Sequence, residues 1–317
     1  MSDLVQNILK NPDQGVDFIG DIHGHHDQLL SLLENLGYRL RDGAYRHSNR
    51  IVIFLGDYID RGPAILQTLK VVRRMVEQKS AIALMGNHEY NALAWCIPRS
   101  ERGGIPCRRH TPDRKEMFHE TQVQLGDSIS DWIEWFRTLP LFINHPRFKA
   151  VHASWDLTAI AYIQKAISNA NGVFDDNVMR STCIPGTAGF TAIERLLKGP
   201  EVKLPNGIQI RDAKGVPRSR IRIRWFDTPT KKTYQEYALT HDEHIPNIPL
   251  PTQTTSSAYP LDAPPVFFGH YWMTGTSPAP LRGNVACLDY SVALGGPMVG
   301  YRFDGECDLD AAKFVTS

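Results

Sequence analysis

The sequence predicts an α/β fold, and three observations carry that expectation. Apolar segments rich in Val, Ile and Phe recur at 16–19 (VDFI), 51–55 (IVIFL) and 81–85 (AIALM), the length and composition of buried strands. Helical periodicity fills the gaps between them, so the chain opens β-α-β-α-β. Each of these strands runs into a glycine followed by polar residues able to bind ligands, and the carboxyl ends of strands are where open α/β sheets form their binding crevices.

The elements follow in order. After the first strand, Leu29, Leu32, Leu33 and Leu36 fall at i, i+3, i+4 and i+7, with Asp27 as candidate N-cap and Gly37 as the stop. Pro63 then opens a second helix with Ile65, Leu66, Leu69, Val72 and Val76 on its apolar face. Residues 96–113 have no period and read as a long loop. Helices are predicted at 128–139, ended by Pro140, at 156–168, and at 190–198, ended by Gly199-Pro200. The alternation over 201–224 suggests a β-ribbon, 245–265 reads as a loop, and strands are predicted at 148–151, 266–268, 285–288 and 298–303. The last strands repeat the apolar style of the first, so one domain over 1–317 with insertions near 96–128 and 201–265 fits better than two domains in series.

Composition narrows the function classes. A net charge of +1 over 317 residues lacks the basic excess that duplex nucleic-acid binding needs to neutralise phosphates. Apolar runs such as IVIFL are far too short to span a bilayer, and the first residues, MSDLVQNILKNPDQ, lack the basic start and apolar core of a signal peptide. The five cysteines, Cys96, Cys107, Cys183, Cys287 and Cys307, form no CxxC pair and their odd number cannot close a complete intramolecular set, which points to a reducing cytoplasm.

The chemistry gathers at the strand ends. GDIHG at 20–24, GDYIDRG at 56–62 and GNHE at 86–89 share one pattern, and VHAS at 151–154 and FGH at 268–270 repeat it with a single histidine. A glycine there allows a tight turn, so that the following side chain faces the crevice instead of the core. Five strand ends thus deliver Asp21, His23, Asp57, Asn87, His152 and His270 to one rim. A histidine at a strand end is more often a satisfied polar residue than a ligand, but five such ends in this order leave coincidence at roughly one per cent on average residue usage.

Taken together, these motifs resemble the signature of the calcineurin-like metallophosphoesterases, and within them the phosphoprotein phosphatase group, which includes bacterial protein phosphatases and symmetrical dinucleoside polyphosphate hydrolases. CLDYSVALGG at 287–296 resembles that family's closing strand and turn, so the resemblance covers nearly the whole chain. It implies an αββα sandwich of two mixed β-sheets flanked by helices. It further implies two divalent metal ions: Asp21 and His23 on the first, Asp57 bridging both, and Asn87, His152 and His270 completing the second. Six N and O donors without a thiolate suit Mn, Fe or Zn, whereas three imidazoles disfavour a site built for magnesium or calcium.

Charge counting points to an anionic substrate. Two divalent ions, two aspartates and a metal-activated hydroxide leave the centre positive, and Arg61 adds a bidentate fork suited to phosphate oxygens. The resemblance places His88 as the general acid for the leaving group, with Asp60 as the carboxylate that orients it, and Glu89 reads as support for the ligand loops. His25 and His26 fall outside every motif and read as rim or solvent-facing residues. A second phosphate-binding arginine is left open among Arg180, Arg195 and Arg224. The leading expectation is a metal-dependent phosphatase of phosphate monoesters, of the serine/threonine protein phosphatase type. The alternatives are a hydrolase of dinucleoside polyphosphates or another nucleotide, and a non-catalytic phosphate-binding scaffold. The partner expected is a phosphorylated substrate, protein or nucleotide, with no duplex and no membrane.

Overall fold

The computed structural model describes residues 14–98, 106–170, 172–211, 215–240, 242–251 and 258–317. The amino-terminal stretch read for a signal peptide and parts of the loops expected at 96–113 and 245–265 lie outside these. Two mixed sheets form the centre, and apart from them β2 (Arg39–Arg41) pairs antiparallel with β3 (Ala44–Arg46). The first contains β1 (Gly15–Ile19), β4 (Arg50–Phe54), β5 (Ala81–Ala83), β14 (Val299–Phe303) and β15 (Phe314–Thr316), in the order β15-β14-β1-β4-β5. The second contains β6 (Phe142–Asn144), β7 (Lys149–Val151), β12 (Val266–Phe268) and β13 (Val285–Cys287), in the order β13-β12-β7-β6. β1, β4 and β5 run parallel, as do β7, β12 and β13, while β14, β15 and β6 join antiparallel.

Period-2 alternation makes the sandwich. Val16 and Phe18 of β1, Ile51 and Ile53 of β4, Ala150 of β7, Phe267 of β12 and Ala286 of β13 form one apolar layer between the sheets. Phe18 stacks on Phe267 there, with ring centroids 3.8 Å apart. Their sequence neighbours Ile19, Val52, Phe54, Val151, Phe268 and Cys287 face outward into the layers that the helices cover. Strands apolar on both faces therefore need helices on the outside of each sheet, which gives the αββα arrangement.

The first sheet is covered through α1 (His26–Asn35) and α2 (Ile65–Glu77), whose buried Leu29, Leu32, Leu33, Ile65, Leu69 and Val72 are the residues read as apolar stripes. The cap differs from expectation. His25, not Asp27, occupies the N-cap position, and Asp27 lies exposed in the first turn, where its charge still meets the positive end of the helix dipole. Beyond them come α3 (Asn87–Cys96), α4 (Pro112–Leu125) and α5 (Ile129–Phe136), and on the second half α6 (Leu157–Asn169), α7 (Asp176–Thr182) and α8 (Ala188–Lys198). The segment expected as a loop from 96 to 113 is thus shortened at both ends, by α3 reaching Cys96 and α4 starting at Pro112.

The 201–224 segment does form antiparallel ribbons. β8 (Glu201–Lys203) pairs with β11 (Arg220–Arg222), and β9 (Ile210–Arg211) with β10 (Pro217–Arg218). A small apolar cluster of Leu204, Ile221, Ile223, Tyr234, Tyr237 and Ile245 holds this insertion together. The cysteine reading is corrected at one point: Cys107 and Cys183 are disulfide-bonded across 76 residues, with Cα atoms 5.5 Å apart, while Cys96, Cys287 and Cys307 are free. Nothing in their spacing signals the pair, because it joins the segment before α4 to the end of α7. Among the described residues no helix is long and apolar enough to cross a membrane.

Candidate active site

Parallel strands of the two sheets end at one edge of the sandwich, and the turns after β1, β4, β5, β7 and β12 meet there. All nine residues singled out from the motifs are drawn into this edge, and Asp21, His23, Asp57, Asp60, Asn87, His88, His152 and His270 are buried. Several sit in backbone conformations that L-residues seldom adopt: His23, Asp57, Asp60, Arg61 and His270 have φ of 46°, 58°, 65°, 72° and 73°. Such conformations persist only where the surrounding structure over-determines them. The glycines before the ligands are required by close approach. A Cβ at Gly86 would strike Asp57 Oδ1, and one at Gly269 would strike Asp21 Oδ1.

Asp57 is the hub. Its Oδ2 lies 3.7 Å from His23 Nε2, 3.8 Å from His88 Nε2 and 3.4 Å from His152 Nε2. Two groups of donor atoms able to hold a metal ion share it: His23, Asp57 and His88 on one side, and Asp57, His152 and His270 on the other. Asp21 Oδ2 stands 4.0 Å from His23 Nε2, and Asn87 Oδ1 3.1 Å from His152 Nε2, so both remaining motif residues border the same two groups. The first group contains His88, where the motif reading names Asp21.

The imidazoles are aimed by backbone carbonyls. His23 Nδ1 donates to Ile59 O at 2.9 Å and His152 Nδ1 to Leu55 O at 2.8 Å, which turns each Nε2 toward the centre. His270 Nε2 is buried without a hydrogen-bond partner. An orphaned, desolvated nitrogen pointing into a cluster of carboxylates is costly unless a cation takes it up. The donor set therefore fits two divalent ions.

The charges agree with this. Burial raises the Asp21 carboxyl well above the ordinary range, helped by Asp289 and Asp57 nearby. Burial also works against the charge on Asp57, but the surrounding imidazoles of His152 and His88 hold it well below that range. His152 is pushed up to about 10, its burial outweighed by Asp57, whereas burial drives His23 and His270 well down and keeps them neutral. Asp57 thus keeps its charge and His23 and His270 their lone pairs, while the shifts at Asp21 and His152 favour protons that a bound cation would displace.

Glu89 builds the frame. Its Oε2 accepts from the backbone N–H of Asp57 and of Gly86, both at 2.9 Å, and its Oε1 from Tyr58 N–H at 2.8 Å. One fully buried carboxylate thus staples the Asp57 turn to the start of α3, and burial beside Asp57 raises it to about 7. Asp57 Oδ1 in turn accepts from His88 N–H at 2.9 Å.

His88 and Asp60 form the expected pair, with Nδ1 and Oδ2 2.5 Å apart. Thr121 of α4, which no motif announced, donates to Asp60 Oδ1 at 2.5 Å and accepts from Asp60 N–H at 3.0 Å. Arg61 reaches into the centre, with Nη1 3.2 Å from His23 Nε2 and Nη2 3.3 Å from His88 Nε2. Trp272, also unannounced, lies flat against it, 4.2 Å from its guanidinium carbon to the ring centroid.

The arginines left open are each ion-paired to a carboxylate. Arg224 pairs with Asp227, Arg180 with Asp176 and Arg195 with Asp156. Arg222 of β11 donates to His270 O at 3.1 Å and lies 5.7 Å from the Tyr271 ring centroid. His25 and His26 are half-buried at the entrance of α1 and belong to neither ligand group.

Comparisons with known proteins bear on the whole chain. A family model described as calcineurin-like phosphoesterase matches residues 16–270. The symmetrical bis(5'-nucleosyl)-tetraphosphatase of Actinobacillus succinogenes is 25% identical over 299 residues, covering 90% of this chain and 93% of that protein. The asymmetrical bis(5'-nucleosyl)-tetraphosphatase PrpE of Halalkalibacterium halodurans is 31% identical over 136 residues, 43% of this chain, and the chain spans about half of that relative, 54%. Among solved structures, a protein serine/threonine phosphatase from Saccharomyces cerevisiae with similarity to human phosphatase PP5 shares the fold. Its TM-score is 0.51 at 13% identity, covering 98% of this chain and 80% of that one.

Proposed function

The chain belongs to the calcineurin-like phosphoesterase family, a phosphoric ester hydrolase by that membership, and on this premise we propose that it cleaves dinucleoside polyphosphates at a two-metal centre. The observation that carries the reading is the buried hub at Asp57, shared by two groups of metal donors and flanked by the His88–Asp60 pair and the Arg61 guanidinium. The phosphoprotein substrate that headed the sequence reading takes second place, because relatives aligned along almost the whole chain are named for nucleotide substrates.

Asp21, His23, Asp57, Asn87, His152 and His270 would hold the ions, which when bound supply Lewis acidity and water activation. Arg61 binds and orients the phosphoryl oxygens through its planar fork, replacing contacts to imidazole nitrogens by contacts to an anion. His88, its Nδ1 fixed on Asp60, presents Nε2 toward the centre and delivers a proton to the departing oxygen. Burial of the whole group excludes bulk water and strengthens each of these interactions.

The test compares the purified, manganese-loaded protein on diadenosine tetraphosphate and on a phosphopeptide panel, with products resolved by chromatography. Nucleotide products with little phosphate release from peptides support the reading. Release from peptides alone would replace it with the protein phosphatase reading, and inactivity on both, with metals bound, would leave the phosphate-binding scaffold.

A further inference from the structure

Resting on the reading of an oligophosphate substrate, we infer that Arg108 forms an outer phosphate subsite, taking a phosphate group beyond the one held at the metal centre. No motif includes Arg108, and the chemistry described above does not use it. Its position comes from α3. Asn87 opens that helix at the metal centre, and Asn91 follows it at i+4, on the same face and about 5–6 Å further out. Arg108 Nη1 donates to Asn91 Oδ1 at 2.5 Å, so its guanidinium is anchored on the residue one helical turn after a metal donor. An oligophosphate chain spans that distance and a single phosphoryl group does not.

The placement is firm. Arg108 N–H donates to Ala94 O and Cys107 N–H to Ile97 O, both at 2.8 Å, which binds this segment to the last turn of α3. Cys107 is also tied through its disulfide to Cys183. The fork is therefore held by backbone and covalent contacts that do not consume its charge. Asn91 takes one of five N–H donors and brings no counter-charge. Among the described residues no carboxylate lies within ion-pairing distance of Arg108, although the side chain is half-buried. Burial and the neighbouring Arg114 lower it to about 10, still a cation at neutral pH.

A merely structural role explains this poorly. A desolvated guanidinium costs stability unless an anion compensates it, and fixing a loop to Asn91 needs no positive charge. Asp60 and Glu194, whose fields Arg108 feels, are each engaged elsewhere, Asp60 by His88 and Thr121 and Glu194 by Lys198. No ion pair takes up the charge, which is left for the ligand.

AMP and ADP test the inference, because they share base and sugar and differ by one phosphate. Their inhibition constants against p-nitrophenyl phosphate hydrolysis are measured with manganese in excess, for the wild type, Arg108→Gln and Arg108→Lys. The wild type should favour ADP, and Arg108→Gln should cut that preference about tenfold, the scale of one charge-assisted hydrogen bond. Arg108→Lys should retain part of it. Equal shifts for both nucleotides, or an unchanged ratio, would overturn the subsite. Should Arg108→Gln melt early, Asn91→Ala, which releases the guanidinium from its seat, gives the same ratio readout. A protein inactive on diadenosine tetraphosphate whose ADP preference still depends on Arg108 would remove the substrate reading and leave the subsite standing.

Discussion

The guanidinium carbon of Arg61 lies 4.2 Å from the ring centroid of Trp272, and the two residues come from opposite sheets. Arg61 follows β4 and Trp272 follows β12, so the contact spans the mouth of the sandwich. Trp272 is itself held at φ 55°, its N–H donating to the buried Asp289 at 2.8 Å. The indole face gives Arg61 a fixed plane and a cation–π attraction of about 0.5–2 kcal/mol.

Trp272→Ala should therefore lower kcat/KM about three- to thirtyfold through loss of Arg61 positioning, with Trp272→Phe in between. Combined with Arg61→Ala, the losses should be non-additive, as for residues acting through one contact. Steady-state kinetics of the wild type, both Trp272 variants, Arg61→Ala and the double variant check this. Independent, additive effects would make Trp272 a packing residue only.

Thr121 acts on the proton donor at one remove. Its hydroxyl both donates to Asp60 Oδ1 and accepts from Asp60 N–H, and the side chain is fully buried. Thr121→Val keeps the shape and leaves Asp60 with an unmet acceptor and donor, a cost of about 1–3 kcal/mol in stability. Turnover should fall most on substrates with poor leaving groups, where the proton matters, and His88→Asn should show the same dependence more strongly. A Thr121→Val variant with equal losses on good and poor leaving groups would sever Thr121 from the acid.

Much of this was legible in the sequence, for a physical reason. Buried strands advertise themselves by composition, and the ligand turns combine a glycine with polar residues at a place where neither packing nor periodicity calls for them. The seven predicted strands match β1, β4, β5, β7, β12, β13 and β14 closely. What stayed hidden depends on distant partners or polar edges. β15 and β6 are short edge strands with weak apolar character, and α4 buries only Phe118, Thr121 and Leu125 of its 14 residues, too few for a stripe. Thr121, Arg108 and Trp272 gain their meaning from contacts 61, 17 and more than 200 residues away. Spacing along the chain carries no trace of such contacts. The ligand motifs could be read because each is a local string; their neighbours could not, because each is a tertiary event.

The frame around Asp57 yields the last expectation. Asp57 borders both donor groups, so Asp57→Asn, which removes its charge and keeps its shape, should lower occupancy of both metal positions. His270 belongs to one group only, so His270→Ala should lower one. Glu89 touches neither group directly. It instead accepts from three backbone N–H groups that shape the Asp57 turn and the start of α3. A Glu89→Gln amide places N–H against some of those donors, so metal affinity should drop about 10–100-fold, the usual effect of disturbing a ligand's support. Metal analysis after dialysis against graded chelator separates the three cases. Two ions retained tightly by Asp57→Asn would refute the bridging assignment, and wild-type affinity in Glu89→Gln would show that the turn holds its shape without that carboxylate.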